Sequence, residues 1–102
     1  MSSIKYTVRI YPSSENDLKE IKDYFINKLK VSPNNLFEKF YKTIDTLEEN
    51  PFLFPLLKDP FLNKLGYRMV SVDNFLLFYI IENTEVQIHR FLYGKRNYLS
   101  IL

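Results

Sequence analysis

The sequence contains no cysteine, so it has neither a disulfide framework nor a thiolate metal site. Its one histidine, His89, has no second imidazole to share a transition metal, and no metal or cofactor is expected. Two glycines and five prolines are too few for flexible linkers, low-complexity tracts or internal repeats. The opening M-S-S-I-K-Y has no long apolar run, so no leader is expected, and no segment reaches membrane-spanning length. A cytoplasmic protein without a membrane partner is the expectation. A net charge of +2 is too small to announce a nucleic-acid binder.

What the chain does have is a composition of 46% hydrophobic and 25% charged residues, which suits one globular domain spanning 1–102. A domain of this size buries roughly 60–70% of its unfolded surface. The charge is unevenly placed. Residues 1–50 are balanced, whereas after Glu85 only Arg90, Lys95 and Arg96 follow, with no acid.

K-Y-T-V-R-I-Y at 5–11 alternates and is β-branched and aromatic, which predicts a strand. Pro12 ends it, and Ser14-Glu15-Asn16-Asp17 resembles a capping box opening a helix. Leu18, Ile21, Phe25 and Leu29 give that helix an apolar stripe. Ser32-Pro33 starts a second helix striped by Leu36, Phe37, Phe40, Tyr41, Ile44 and Leu47, and Asn50-Pro51 stops it. The short link between them implies an antiparallel hairpin. Residues 51–65 carry three prolines among apolar residues, and read as an irregular loop over the edge of the core or as a partner-binding lip.

Three strands follow, at 66–72, 75–81 and 85–93, joined by the tight turns Asp73-Asn74 and Glu82-Asn83-Thr84. The middle run, F-L-L-F-Y-I-I, is apolar throughout, as a central strand covered on both faces requires. In the last strand, alternation places Val86, Ile88, Arg90 and Leu92 on one face, and Gln87, His89, Phe91 and Tyr93 on the other. One face suits the helical hairpin; the other needs a loop, the tail or another chain. The expected architecture is a two-layer α+β domain of order β-α-α-β-β-β, a helical hairpin packed on an antiparallel sheet.

That order resembles the RelE/ParE superfamily of bacterial toxins from type II toxin–antitoxin modules. The resemblance is carried by P-S-S-E-N-D-L-K-E-I, L-E-E-N-P, G-Y-R-M-V-S-V-D-N-F-L-L-F-Y-I-I and V-Q-I-H-R-F-L-Y-G-K-R-N-Y, over about 90 residues. It implies a toxin that arrests growth and is held in a hetero-oligomer by a cognate antitoxin. RelE-like members cut mRNA in the ribosomal A site; ParE-like members poison DNA gyrase. Cleavage at a 2′-hydroxyl needs a proton acceptor, a proton donor and cations for the phosphate.

By resemblance, Arg68 and Arg96 match two cations of the nuclease set. Val70, Leu76 and Leu102 stand where RelE-like sequences have a second cation, an arginine and a tyrosine. The implied reading is a ParE-like toxin that acts by binding, with Arg68, Lys95, Arg96 and Tyr98 on the target. The alternatives are a ribosome-dependent mRNA endonuclease using Arg68, His89, Arg96 and Tyr98, and a degenerate member that only binds. Phe91 and Tyr93 are the expected antitoxin contacts. A strand histidine such as His89 is ordinarily structural, and Arg90, among apolar neighbours, suits a fold-bracing ion pair.

Overall fold

In the computed structural model, which describes residues 5–102, the first strand is β1 (Thr7–Ile10). Residues 1–4, which carry most of the stretch read as lacking a leader, lie outside the described residues. The helix α1 (Pro12–Tyr24) starts two residues before the expected box. Pro12 occupies its first turn, where a missing N–H costs nothing and a φ near −65° is already helical. Asp17 therefore sits inside the helix rather than capping it. The last turn widens into a π-helix (Phe25–Leu29), ended by Lys30 in the left-handed region at φ 57°. The second helix, α2 (Asn34–Glu49), buries Leu36, Phe40, Ile44 and Leu47 along one stripe. Ser32 Oγ accepts from the Asn34 N–H at 3.1 Å.

Residues 51–65 are not irregular throughout. Asp59 Oδ1 accepts from the Leu62 N–H at 3.0 Å and caps a short helix, α3 (Pro60–Lys64). Pro60 again takes the one helical position that proline favours, so a residue read as a breaker is a starter. The remaining strands are β2 (Arg68–Val72), β3 (Phe75–Glu82) and β4 (Glu85–Tyr93). Asp73 and Asn83 take positive φ in the two hairpin turns, a conformation that Asn and Asp tolerate.

The sheet order is β1-β4-β3-β2. The β2–β3–β4 meander is antiparallel, with β3 flanked on both sides, as expected. The sheet as a whole is mixed, however, because β1 runs parallel to β4, from Thr7 opposite Glu85 to Ile10 opposite Ile88. A crossover through two helices returns the chain to the sheet in a way that permits this parallel pairing.

Each face of β3 has its own core. Leu77 and Tyr79 join Phe40, Leu47, Val70, Val86 and Ile88 beneath the hairpin. Phe78 and Leu92 pack on the other face with Leu57 and Leu62. Tyr98, Ile101 and Leu102 of the tail complete that second cover, with Tyr98 opening a 3₁₀ turn (Tyr98–Ser100). Loop and tail thus cover the face that needed a partner.

Strict alternation fails in β4. Phe78 lies opposite Arg90 and Tyr79 opposite Ile88, so His89 is the extra residue of a β-bulge. The bulge reverses the parity beyond it. Phe91 therefore enters the helix-side core, stacked on Phe75 with centroids 5.3 Å apart and edge-on to Phe40 at 4.8 Å. It is 0% exposed, so the expectation that Phe91 faces outward with His89 does not hold.

Candidate functional site

The strand-end turn begins at Gly94, whose N–H donates to Asn74 O at 2.8 Å. A Cβ there would lie 3.1 Å from that same oxygen, so the close approach of β4 to the β2–β3 turn favours glycine. Lys95 and Arg96 follow, both exposed, and make no ion pair among the described residues. Arg96 N–H donates to Tyr93 O at 3.0 Å, which folds the turn back on the strand.

Tyr93 and Arg96 line one groove of about 580 Å³, between α1 with its π-helical turn and the end of β4. Ile21, Tyr24, Phe25 and Leu29 form its other wall, with Glu20 beside them. Tyr93 is 41% exposed and Tyr24 54%, so the apolar lining is open to solvent. The expected antitoxin contact and the expected target contact thus share one hollow. Tyr98 does not join it: its ring packs 4.9 Å from Phe78 and is half-buried.

Arg68 lies elsewhere. Its guanidinium donates to Phe54 O at 2.6 Å and stands 5.1 Å from the Phe52 ring centroid, which ties the 51–55 segment to β2. Arg68 pairs with Tyr79 and Tyr93 pairs with Phe75, four residues further along β3. At about 3.3 Å per residue, that offset is roughly 13 Å along the strand.

His89 is a structural residue on geometry. Tyr11 stacks on it at 4.5 Å and Tyr67 meets it edge-on at 5.3 Å. Its Nδ1 lies 2.9 Å from the Tyr67 hydroxyl and its Nε2 lies 3.3 Å from Gln87 Oε1. A neutral ring with its proton on Nε2 satisfies both, accepting from Tyr67 and donating to Gln87. Burial pushes the His89 pKa below its usual 6.5 and raises that of Tyr67 above its usual 10.0.

Arg90 makes the brace that its apolar neighbours suggested. Its Nε and Nη2 donate to Asp17 Oδ2 and Oδ1 at 2.8 and 2.7 Å. Asp17 Oδ2 also accepts from the Phe91 N–H at 2.9 Å. Since β1 ends opposite Ile88, the β4 backbone beyond it lacks a neighbouring strand on the side away from β3. The first turns of α1 replace one, with Ser13 Oγ donating to His89 O at 2.6 Å and Asp17 accepting from Phe91. The bond to Asp17 holds Arg90 protonated, raising its pKa further.

A sequence model of the ParE toxin of type II toxin–antitoxin systems matches residues 8–98. The chain belongs to the ParE toxin family. No curated protein sequence matches it. Solved structures of the same fold include the RelBE2 toxin–antitoxin complex of Mycobacterium tuberculosis, 22% identical at a TM-score of 0.64. That alignment covers 88% of this chain and 99% of that one. A chromosomal ParDE system from P. aeruginosa is 16% identical at a TM-score of 0.71, covering 91% and 100%. The YoeB dimer of Staphylococcus aureus is 17% identical at 0.59, covering 87% and 97%.

In this ParE-family chain the three apolar residues at nuclease positions are part of the packing. Val70 belongs to the helix-side core, and Leu76 and Leu102 pack against the second. The sequence reading missed Asp17, Tyr67 and Tyr11 as partners of β4, and Tyr24 as a groove wall. Only Asp17 left a signal: an acid one position before Leu18 in a helix stripe, a candidate counterion for a strand arginine.

Proposed function

We propose that this ParE-family toxin arrests growth by binding DNA gyrase through its Gly94-Lys95-Arg96 turn, and that a cognate antitoxin encoded beside it neutralises it. The observation that carries a binding role is the dispersal of the nuclease positions. Arg68 braces a loop, Arg96 stands at the far end of the sheet, and Val70, Leu76 and Leu102 are packed away. Losing one preorganised donor costs about 10²–10³ in rate, and hydrocarbon side chains neither move protons nor stabilise phosphate charge. Gyrase is the target that the ParE side of the resemblance implies, and the family match supports that side. A cytoplasmic location follows from the same target.

The antitoxin reading draws on solved relatives captured as toxin–antitoxin complexes, and on an open apolar groove beside the basic turn. An occupant of that groove lies against Arg96 and denies the turn to the target. Tyr93 and Arg96 are the contacts proposed for it, and Phe91 supports them from within the core.

The test is expression of the chain alone and with its genomic neighbour. Growth arrest relieved by the neighbour and lost in Arg96→Ala, with cellular mRNA uncut, is the expected result. Codon-dependent mRNA cleavage abolished by Arg96→Ala would overturn the binding role in favour of a ribosome-dependent endonuclease. Harmless expression would leave a member that only binds.

A further inference from the structure

The small net charge conceals a separation of charge along the molecule. At one end, Lys22, Lys28 and Lys30 stand on the tip of the helical hairpin, and Lys95 and Arg96 on the strand-end turn. The groove joins them, since Leu29 and Arg96 line the same hollow. The acids there are Asp17, paired with Arg90 at 2.7 Å, and Glu20 on the groove wall, Asp23, Glu38 early in α2, and Asp73, paired with Lys39 at 2.9 Å.

The opposite end is acidic. Asp45, Glu48 and Glu49 close α2, and Glu82 and Glu85 flank the β3–β4 turn. The Tyr6 N–H donates to Glu48 O and the Thr7 N–H to Thr84 O, which gathers these carboxylates around the start of β1. The nearby cations are Lys5, 3.7 Å from Glu48, Lys42 one turn back on α2, and Arg68, engaged by Phe54. Phe52 and Leu53, each 57% exposed, project from this end, with Phe52 edge-on to Tyr6 at 6.2 Å.

One chain thus presents an apolar hollow with a basic rim and an apolar knob beside carboxylates. β4 alone separates the two ends by about 30 Å for its nine residues, so a chain cannot fill its own groove. We propose that in toxin free of antitoxin the groove is filled by a second copy: its Phe52–Leu53 knob enters the groove, and its α2 and β3–β4 carboxylates meet Lys95, Arg96 and the hairpin lysines. The contact joins two different surfaces, so each added copy presents a fresh groove and the assembly grows head to tail. It weakens as salt screens the charges. It also covers Tyr93 and Arg96, so assembled toxin hides its turn; this consequence, unlike the assembly, rests on the target reading above.

Sedimentation velocity on the purified chain, across concentration and at low and high salt, tests this with two variants whose changes lie on exposed side chains. Lys95→Ala/Arg96→Ala removes the basic rim, and Glu49→Gln/Glu82→Gln removes carboxylates from the acidic end, neither creating a charge that could pair with the other variant. The wild type is expected to grow with concentration at low salt and to dissociate at high salt. Each variant alone should self-associate about ten-fold more weakly or less. An equimolar mixture should form a 1:1 dimer and nothing larger, because each partner supplies the end that the other lacks.

A wild type that stays monomeric throughout, or a mixture that fails to dimerise, would overturn the proposal. A monomeric wild type that binds the neighbour-encoded protein, with affinity lost in Lys95→Ala/Arg96→Ala, overturns self-assembly and leaves the groove to the antitoxin alone. Growth arrest by the wild type, read separately, reports on the toxin role whichever way sedimentation falls.

Discussion

Replacing Asp17 by alanine removes one carboxylate and three bonds: two from Arg90 and one from the Phe91 N–H. The carboxylate is buried, at 2% exposure, while the Arg90 side chain keeps 21%. Breaking a buried pair on one side costs about 3–5 kcal/mol, because the surviving charge remains desolvated. Arg90 can recover part of its hydration through its exposed fifth, which sets the expected cost near 3 kcal/mol. The Phe91 N–H would also lose its acceptor in a place where no strand replaces it.

Against a total of about 5–15 kcal/mol for a domain of this size, that loss leaves a marginal protein. In urea, with a slope of about 1–3 kcal/mol per M, the midpoint should fall by roughly 1–3 M at constant slope. Asp17→Asn keeps one oxygen for Phe91 and Arg90 Nε but sets an amide N–H against Arg90 Nη2, so it loses a bond as well as the charge and should cost about 2 kcal/mol. A double-mutant cycle with Arg90→Ala should give a coupling above about 1 kcal/mol. If Asp17→Ala costs less than about 1 kcal/mol, the range of an exposed pair, α1 is not what holds the free edge of β4.

Ser14, fully buried with no partner for its hydroxyl among the described residues, should become alanine at no cost or with a gain of up to about 1 kcal/mol in urea unfolding. Burial lowers the His89 pKa in the folded state, so the unfolded chain binds that proton more readily. Stability should therefore be unaffected above pH 6.5 and fall as pH drops below it, levelling beneath the folded pKa, and His89→Asn should flatten that slope. Burial raises Tyr79 to about 12, and its hydroxyl donates to Pro51 O at 2.7 Å. This stability is present below pH 10 and lost as pH rises toward 12; Tyr79→Phe should cost about 1–2 kcal/mol at neutral pH and lose the alkaline dependence.

The elements were legible where local periodicity and packing agree. The stripe of α2, the apolar run of β3 and the two hairpin turns each had one physical solution, and the meander followed. The parallel pairing of β1 with β4 was not legible, because alternation in a short strand does not reveal its neighbour's direction. The bulge at His89 was hidden for a related reason: one extra residue changes no local propensity, yet it moves Phe91 from surface to core. Pro12 and Pro60 read as stops because proline ends strands, but both stand at helix starts. For the site, glycine and two cations marked the basic turn. The groove beside it depends on the π-helical turn Phe25–Leu29, which lies far from residues 94–96 in sequence, and no spacing rule connects the two.

The binding role proposed for this toxin requires that it block its target by contact and leave RNA uncut. A single experiment puts both chemistries before the same protein: purified chain added to a gyrase supercoiling reaction and, in parallel, to a translating extract with a defined mRNA. Supercoiling should stop with rising toxin, mRNA should stay whole on stalled or moving ribosomes, and the block should be lost in Arg96→Ala. Codon-dependent cuts in the mRNA, with gyrase untouched, would contradict it.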